Sequence, residues 1–395
     1  MRVLAWPGLG YAQQPYITQL YTHLGRLGAD VTGFTPFVTA KERFDVWHMH
    51  WPENRLIDPS PVWAAVQSAR LLAEMQAARL RGTKIVWTAH NLKQHEGRHP
   101  HLEPLFWNRF VRLLDGWTAL SPAGKRLAEA KFPHLKRVPS FVIPHGHYRG
   151  SYPDDLSRAE ARAVLGLAET TRVAAFVGQI RAYKNVPHLI RTFRAMSADT
   201  VNGAAADTAL VVAGRVKDDW LRRDLYGAAA GDPRIKLALS FVADHDMQTY
   251  LNAADLVALP YKDILNSGSA LLGLSFGTPV LVPAQGAMED LQRYAGGSWV
   301  RTFAGELDPQ ALAGALDWAA APRPPLDLSE LDWDRVALQT LRAFTAVCTR
   351  VPTRTPARSP LPTFGQPELH TEARGVRRPA PSRLAKPETR PVPKS

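Results

Sequence analysis

The sequence predicts an α/β protein built of two doubly wound domains that face each other across a cleft. Strand-like apolar runs alternate with helix-like segments through residues 1–148, and the alternation restarts and continues through residues 149–327. Strands that alternate with helices form βαβ units and a parallel sheet. Ligands of such sheets bind outside the carboxyl ends of the strands, so a ligand site is expected in the cleft.

The elements of the first half follow from hydrophobic spacing. Short apolar runs predict strands at 3–6, 30–34, 44–51, 84–88 and 116–120. Apolar residues at Ile17, Leu20 and Leu24 recur with a helical period and predict a helix over 17–27. A second, longer helix is predicted over 61–81. Residues 1–148 are therefore expected to form the first Rossmann-like domain.

The second half repeats the pattern. Strands are predicted at 173–177, 209–213, 235–241, 256–259, 279–283 and 299–303, and helices at 186–196, 220–230, 246–253 and 269–276. Residues 201–207, rich in alanine and glycine, predict a surface insertion. We expect a second domain over 149–327 and a last amphipathic helix within 328–349.

Charge is unevenly distributed along the 395 residues. Lys and Arg number 48 against 36 Asp and Glu, a net charge of +12, and residues 351–395 alone hold nine basic and three acidic residues. That segment has ten prolines and one aromatic residue, too little apolar side chain to offset the entropy of ordering it. A disordered, basic tail is predicted over 350–395.

Composition excludes several classes of protein. A single cysteine, Cys348, excludes an intrachain disulfide and a cysteine-based zinc site. The chain has no run of about 18 apolar residues, which a membrane-spanning helix requires. Pro7 and Gly8 interrupt the N-terminus before a signal-peptide apolar region forms. A cytoplasmic protein is expected.

A first candidate site follows the strand at 173–177. Gly178 stands at the strand end, and Arg181 and Lys184 precede a helix. Arginine binds phosphate oxygens in a fork and lysine adds a compact charge, so the pair suits a diphosphate. Two solvated cations are the plain alternative, although cations oppose the dipole of a helix start unless an anion is bound there.

A second candidate site lies in the loop after the strand at 256–259. Asn266, Ser267 and Gly268 open an apolar helix there, and unpaired N–H groups at a helix start attract anions. Asn266 or Ser267 could equally be a simple N-cap. Two possible anion sites in one domain favour a bound diphosphate.

In the first half, polar residues follow two successive strands. His50 and Glu53 follow one strand, and His90, His95 and Glu96 follow the next. Both loops should open into the cleft, where such residues suit catalysis. The four histidines between residues 90 and 101 are expected mostly in a loop and lack the helical pairing of a zinc site, so no metal is expected.

Taken together, these segments resemble the xanthan-type GDP-mannose:glycolipid β-mannosyltransferases. The likeness runs in order from about residue 10 to about residue 345 and leaves out the tail. It rests on residues 15–21, 45–53, 90–96, 145–148, 180–184, 259–262 and 266–268. The resemblance implies the GT-B fold, with the acceptor on the first domain and the nucleotide sugar on the second.

The resemblance also implies roles for individual residues. Glu53 is the first choice for the general base and Glu96 the second, with His90 near the donor sugar. The donor-binding residues are Gly178, Arg181, Lys184, Tyr261, Asn266, Ser267 and Gly268. The acceptor or cleft residues are Tyr16, His50, Asn91, His95 and His147. No metal or cofactor is implied, because positive charge at the diphosphate can stabilise the leaving group.

The stereochemistry of the reaction is implied by two positions at which this sequence differs from the wider group of GT-B glycosyltransferases. Retaining enzymes of similar layout carry two glutamates where this chain has Ile264 and Leu272. This difference favours an inverting, β-forming transfer. The donor is expected to be a nucleotide-diphosphate sugar, GDP-mannose above all, and the acceptor a lipid-linked saccharide.

Contact with an anionic membrane surface is a further expectation. Residues 105–114 mix aromatic and basic side chains, and Arg70, Arg79, Arg81 and Lys84 lie on or after the long helix. A core helix with solvated cations is the alternative. A non-catalytic nucleotide-sugar-binding protein and a UDP-sugar transferase also stay open, whereas nucleic-acid binding would rest on charge alone and is not expected.

Overall fold

The computed structural model describes residues 1–9, 15–94, 97–196 and 207–349. These residues belong to one compact unit that spans residues 1–352. The tail and nearly all of the insertion predicted at 201–207 lie outside the described residues. No helix within the described ranges is long and apolar enough to cross a membrane.

The first half contains a six-stranded sheet in which every neighbouring pair of strands is parallel. Its strands are β1 (Arg2–Trp6), β2 (Asp30–Gly33), β3 (Val46–His50), β4 (Lys84–Ala89), β5 (Gly116–Ala119) and β6 (Ser140–Val142). Its helices are α1 (Pro15–Arg26), α2 (Val38–Lys41), α3 (Pro61–Leu80), α4 (Leu102–Phe110) and α5 (Pro122–Lys131). The strand order is β2-β1-β3-β4-β5-β6, which reverses direction between β1 and β3.

The second half contains another parallel six-stranded sheet. Its strands are β7 (Arg172–Val177), β8 (Thr208–Ala213), β9 (Ile235–Ala238), β10 (Leu256–Ala258), β11 (Val280–Pro283) and β12 (Val300–Phe303). Its helices are α6 (Arg158–Val164), α7 (Val186–Arg194), α8 (Asp219–Ala229), α9 (Met247–Ala253), α10 (Gly268–Ser275), α11 (Met288–Ala295) and α12 (Pro309–Ala320). The strand order β12-β11-β10-β7-β8-β9 reverses between β7 and β10.

The predicted fold class, two doubly wound α/β sheets, is confirmed. All predicted strands are present, most of them one to three residues shorter than predicted. The prediction omitted β6 and the helices α2, α5, α6, α11 and α12. Two of these helices carry start signals that the hydrophobic pattern does not capture: Ser121 and Asp308 cap α5 and α12, and a proline follows each cap.

The last helix, α13 (Trp333–Cys348), packs on the first half of the chain rather than on the second, which precedes it. Trp333 and Phe344 join the buried cluster that α1 forms on one face of the first sheet. Gly146 permits this arrangement, because a Cβ at that position would lie only 2.4 Å from the Trp333 ring. The C-terminal helix therefore ties the second half back to the first.

Candidate active site

The carboxyl ends of both sheets carry the predicted site residues at the points where strand order reverses. In the second sheet the loops after β7 and β10 hold Gly178 and residues 259–268. In the first sheet a short 3-10 helix, Pro52–Leu56, follows β3 and holds Glu53. Reversal of strand order leaves a crevice between two diverging loops, which is where doubly wound sheets bind ligands.

Gly178 ends β7 in a conformation that few other residues adopt. Its φ is +129°, and a Cβ there would lie 3.1 Å from Oγ of Ser269 and 3.9 Å from Nζ of Lys184. The absence of a side chain therefore lets the backbone of the first loop approach the start of α10. Gly178 is thus a positioning residue for the cavity that the two loops enclose.

Lys184 supplies the positive charge of this cavity. Its ammonium lies 5.4 Å from the centroid of the Tyr261 ring and 5.7 Å from that of Phe176. No carboxylate of the described residues forms an ion pair with it, and burial lowers the pKa of its ammonium. A desolvated cation without a counter-charge attracts an anionic ligand. Arg181 lies further out and donates to Oε1 of Gln179 at 3.3 Å.

The start of α10 contributes backbone donors. Ser267 is its N-cap, with a hydroxyl that accepts from the backbone N–H of Ala270 at 3.1 Å. The backbone N–H groups of Gly268 and Ser269 have no hydrogen-bond partner in the described part of the chain. The plain N-cap alternative is thus true of Ser267, yet two donors remain free at the cavity.

One cavity joins residues of both halves of the chain. It is lined by Asn91, Tyr183, Lys184, Tyr261, Asp263, Ile264, Leu265, Asn266, Ser267, Gly268 and Ser269. The two halves also meet directly here, since Nδ2 of Asn266 donates to the carbonyl of His90 at 3.2 Å. The cavity measures about 90 Å³, so it can hold only part of a nucleotide sugar while the rest extends into the cleft.

Glu53 is an acidic group of the first half that bonds Asn91, a residue that lines the cavity. Its Oε1 accepts from Nδ2 of Asn91 at 2.8 Å, and its Oε2 is buried without a partner among the described residues. Burial raises the pKa of this carboxyl to about 7. The side chain is only 3% exposed, so direct contact with a ligand would require a local rearrangement.

Two of the predicted histidines, His50 and His90, lie in a buried network that sequence reasoning missed. His50 is fully buried and bonds His90 and Tyr21, at 2.9 Å and 3.0 Å. His50 therefore cannot contact an acceptor directly, which corrects its predicted role. His48 bonds the same tyrosine hydroxyl at 3.0 Å. Its position two residues before His50 on β3 places both rings on one face of the strand, a signal that was available in the sequence.

Tyr16 and His147 lie in different parts of the structure. The Tyr16 ring packs against His90 and His145, with centroids 4.8 Å and 4.7 Å apart, at the edge of the histidine network. His147 bonds Asp332 at 2.6 Å, and its carbonyl accepts from Trp333 at 2.7 Å. His147 thus anchors the segment before α13, which corrects its prediction as a cleft residue.

Two predicted residues, His95 and Glu96, lie outside the described residues. Within the described ranges, no three His, Cys, Asp or Glu side chains come together as a metal site would require.

Two of the groups predicted to contact a membrane, residues 105–114 and Arg79, have other partners. Phe106, Trp107 and Phe110 of α4 are buried in the core of the first half. Arg79 pairs with Asp115 at 3.0 Å. Residues 105–114 therefore follow the alternative interpretation, a core helix with solvated cations.

Comparison with known proteins places the chain in a family. Residues 171–321 match the family model described as glycosyl transferases group 1. Two sequences from Xanthomonas campestris pv. campestris, each named GDP-mannose:glycolipid 4-beta-D-mannosyltransferase, are 32% identical over 333 residues, or 84% of this chain and 87% of the relative. The chain belongs to this glycosyltransferase family. The resemblance stated from the sequence is confirmed.

Solved structures of other glycosyltransferases share the fold of this family member. Sucrose-phosphate synthase from Thermosynechococcus elongatus has a TM-score of 0.58 at 16% identity, over 88% of this chain and 96% of its own. Anabaena HepE in complex with UDP and glucose has a TM-score of 0.52 at 16% identity, over 89% and 98%. At these identities the likeness shows the fold alone, which is GT-B as expected.

Proposed function

We propose that this glycosyltransferase transfers mannose from GDP-mannose to a lipid-linked saccharide with inversion at the anomeric carbon. The observation that carries the proposal is one cavity lined by Lys184, whose ammonium has no counter-charge among the described residues, and by Gly268 and Ser269, whose N–H groups have no partner there either. Such a group of donors suits the diphosphate of a departing nucleotide. The choice of mannose and of GDP is supported by the names of the Xanthomonas relatives.

The two halves would divide the substrates between them. Residues 149–327 would bind the donor, with Gly178 and Tyr261 shaping the cavity and Arg181 approaching the diphosphate from outside. Residues 1–148 would bind the acceptor. The contact between Asn266 and the His90 carbonyl brings both sets of residues to one place.

Inversion is supported by apolar residues at two positions. Ile264 lines the cavity and Leu272 lies on α10, and both side chains are buried. Neither can hydrogen-bond a sugar as the glutamates of retaining enzymes of this layout would. Direct attack of the acceptor hydroxyl on the anomeric carbon then forms the new bond while the nucleotide diphosphate leaves.

Glu53 is our first choice for the base that removes the proton of the acceptor hydroxyl. A pKa of about 7 poises its carboxylate to accept a proton near neutral pH. Glu96 stays the second choice. The Glu53→Gln variant should lose transfer by about 100-fold or more while it still binds GDP. Its matched control is Glu306→Gln on an exposed loop, and equal activity of the two variants would exclude Glu53 as the base.

The donor is tested by thermal stability. A ligand that binds only the folded state raises the melting temperature, so GDP-mannose should stabilise the protein more than UDP- and dTDP-sugars do. A larger shift with a UDP-sugar would replace GDP-mannose as the donor, and no shift with any nucleotide would contradict the donor site. The product linkage, read by NMR of the anomeric proton, should be β.

We also propose that the enzyme meets its lipid-linked acceptor at a membrane surface. Val62, Trp63 and Phe37 are 72%, 60% and 60% exposed, and the guanidinium of Arg70 lies 4.6 Å above the Phe37 ring. Exposed aromatic and basic groups together suit an anionic bilayer interface. Co-sedimentation with phosphatidylglycerol vesicles should fall in Trp63→Ala and persist in the control Trp220→Ala, which removes an exposed tryptophan of the other half.

A further inference from the structure

Asn91 connects the cavity of the second half with the carboxyl of Glu53. Among the described residues that line the cavity, Asn91 alone comes from the first half of the chain. Its Nδ2 donates to Oε1 of Glu53 at 2.8 Å. One residue is therefore in contact both with the cavity and with the carboxyl that is the first choice for the base.

The register of the first sheet explains why these two residues meet. His50 of β3 pairs with Thr88 of β4 in the parallel ladder. Glu53 stands three residues after His50, and Asn91 stands three residues after Thr88. Because parallel strands end at the same edge of a sheet, the loops that follow them carry both side chains to one place.

The segment that carries Asn91 is also held against the second half. The carbonyl of His90 accepts from Nδ2 of Asn266 at 3.2 Å. Lys93 forms an ion pair with Asp263. Both partners, Asn266 and Asp263, line the cavity. These two contacts, one before Asn91 in the sequence and one after it, keep this residue at the cavity wall.

Asn91 has hydrogen-bonding groups left for a ligand. A side-chain amide offers two N–H groups and one carbonyl oxygen. One N–H is used on Glu53, whereas the second N–H and Oδ1 have no partner within the ranges that the structure describes. The side chain is half-buried rather than sealed in the core. The two remaining groups are therefore available to the oxygen atoms of a molecule in the cavity.

The bond from Asn91 favours the ionised form of Glu53. An ionised carboxylate can only accept hydrogen bonds, so a donated N–H stabilises it. Burial raises the pKa of Glu53 to about 7, and the bond from Asn91 opposes that rise, as does a backbone N–H. Glu103 on α4 is the further charged group that acts on this carboxyl, and its repulsion adds a smaller rise of the pKa. Loss of the Asn91 amide should thus leave burial and repulsion less opposed.

We propose that the Asn91 amide bonds two groups at once: one N–H holds Glu53 in the ionised form that a base requires, and the remaining groups bond the nucleotide sugar in the cavity. Asn91 is then a positioning residue for the base and a binding residue for the donor. The proposal rests on the proposed function for the roles of Glu53 and of the cavity. The bond between Asn91 and Glu53 itself does not depend on which sugar is transferred.

The direct test is the titration of Glu53. Carbon-13 NMR of the full chain with carboxyl-labelled glutamate follows it, because its resonance is the one that Glu53→Gln removes. Asn91→Ala should raise the pKa of Glu53 from about 7 to about 8, since a hydrogen bond to a charged group is worth about a tenfold change in acidity. Asn91→Asp should raise the pKa further, because it keeps the shape of the side chain but replaces the donor with a second carboxylate. An unchanged pKa in either variant would overturn the proposal.

Asn252→Ala is the matched control for these variants. It removes an asparagine of α9 whose Nδ2 donates to Asp154 at 2.9 Å instead. This variant should leave the pKa of Glu53 at the wild-type value. An equal rise in Asn252→Ala would mean that a general loss of stability moves the pKa, and it would refute the role of the Asn91 bond.

Kinetics connects the bond to the reaction. A base must be ionised, so kcat/KM should rise with pH as Glu53 loses its proton, and the midpoint of this rise should move up by about one pH unit in Asn91→Ala. A purely structural defect would lower the maximum rate without moving the midpoint. At saturating donor, Asn91→Ala should lower kcat no further in the Glu53→Gln background, because the group through which it acts is gone. Independent losses that multiply in the double variant would contradict the link.

The contact with the ligand is tested by isothermal titration. Asn91→Ala should weaken the binding of GDP-mannose about tenfold, and Asn252→Ala should leave it unchanged. An equal loss with GDP would assign the contact to the diphosphate, and a loss confined to GDP-mannose would assign it to the sugar. Wild-type affinity of Asn91→Ala for both ligands would overturn the proposal. If the wild-type protein binds neither ligand and transfers no sugar, the proposed function fails, yet the titration of Glu53 still decides the role of the Asn91 bond.

Discussion

The two strand edges that meet in the cleft differ in charge. The edge of the second sheet presents the Lys184 cation beside N–H groups at the start of α10, and neither has a partner in the part of the chain that the structure describes. At the edge of the first sheet, His50, His90 and Glu53 are buried, and burial lowers the pKa of both imidazoles and raises that of the carboxyl to about 7. One edge therefore suits an anion and the other suits a neutral hydroxyl.

This difference between the edges explains more about the reaction than the net charge of +12 does. A transferase must hold a diphosphate that gains negative charge as it leaves, and it must bring up an alcohol that is neutral until it reacts. Cationic donors on one side stabilise the first, and a poised acid–base group on the other serves the second. Substitutions at one edge at a time should separate these two roles.

The largest effect is expected from loss of the cation. Lys184→Ala should lower the transfer rate by about 100-fold or more, because one preorganised donor at a developing charge is worth that much. Steady-state kinetics measures it. Lys41→Ala, which removes an exposed lysine on α2, is the control. An equal loss of activity in this control would contradict the role of Lys184.

On the other edge, Glu53 should make stability depend on pH. Its folded pKa of about 7 lies above the ordinary 4.5, so between these values the folded state holds a proton that the unfolded state has released. The free energy of unfolding should fall by about 3 kcal/mol as pH rises through this window. Urea unfolding at pH 5 and pH 8 measures it. Glu53→Gln should lack this fall, and parallel curves for both proteins would contradict the buried carboxyl.

A smaller effect is expected at Gly178. Alanine there must adopt a φ of +129° and bring its Cβ within 3.1 Å of Ser269, which should cost about 1–3 kcal/mol of stability. Chemical denaturation measures the change. Gly297→Ala, where no atom lies within 4 Å of the new Cβ, should differ from the wild type by less than about 0.5 kcal/mol. Similar losses in both would mean that the two loops are not closely packed.

The smallest effect concerns the ion pair that joins the edges. Lys93 and Asp263 pair across the cleft, but both side chains are about half exposed, at 53% and 52%. Lys93→Ala should therefore change the free energy of unfolding by less than about 1 kcal/mol. A larger loss would mean that this pair, rather than packing by α13, holds the halves together.

The sequence alone was sufficient to predict both sheets and the residues that come together at the edge of the second sheet. Strand alternation depends on local spacing, and Gly178, Lys184 and Ser267 follow strands within a few residues, so their convergence could be predicted from topology alone. The packing of α13 on α1 could not be predicted in this way, because it joins residues that lie more than 300 positions apart in the sequence.

The edge of the first sheet was harder to predict for a physical reason. His50 and His90 were expected at the cleft because they stand at strand ends, yet the register of β3 and β4 pairs His50 with Thr88 and buries the ring. Burial depends on which helices cover the sheet, and Tyr21 comes from α1. A buried network needs all of these elements at once.

Binding of GDP to two variants tests the central claim most directly. Isothermal titration should show at least a tenfold weaker GDP affinity for Lys184→Ala and an affinity equal to the wild type for Glu53→Gln, because only the second sheet's edge would hold the diphosphate. Equal GDP affinity for the wild type and Lys184→Ala, or a loss confined to Glu53→Gln, would contradict this division of the cleft.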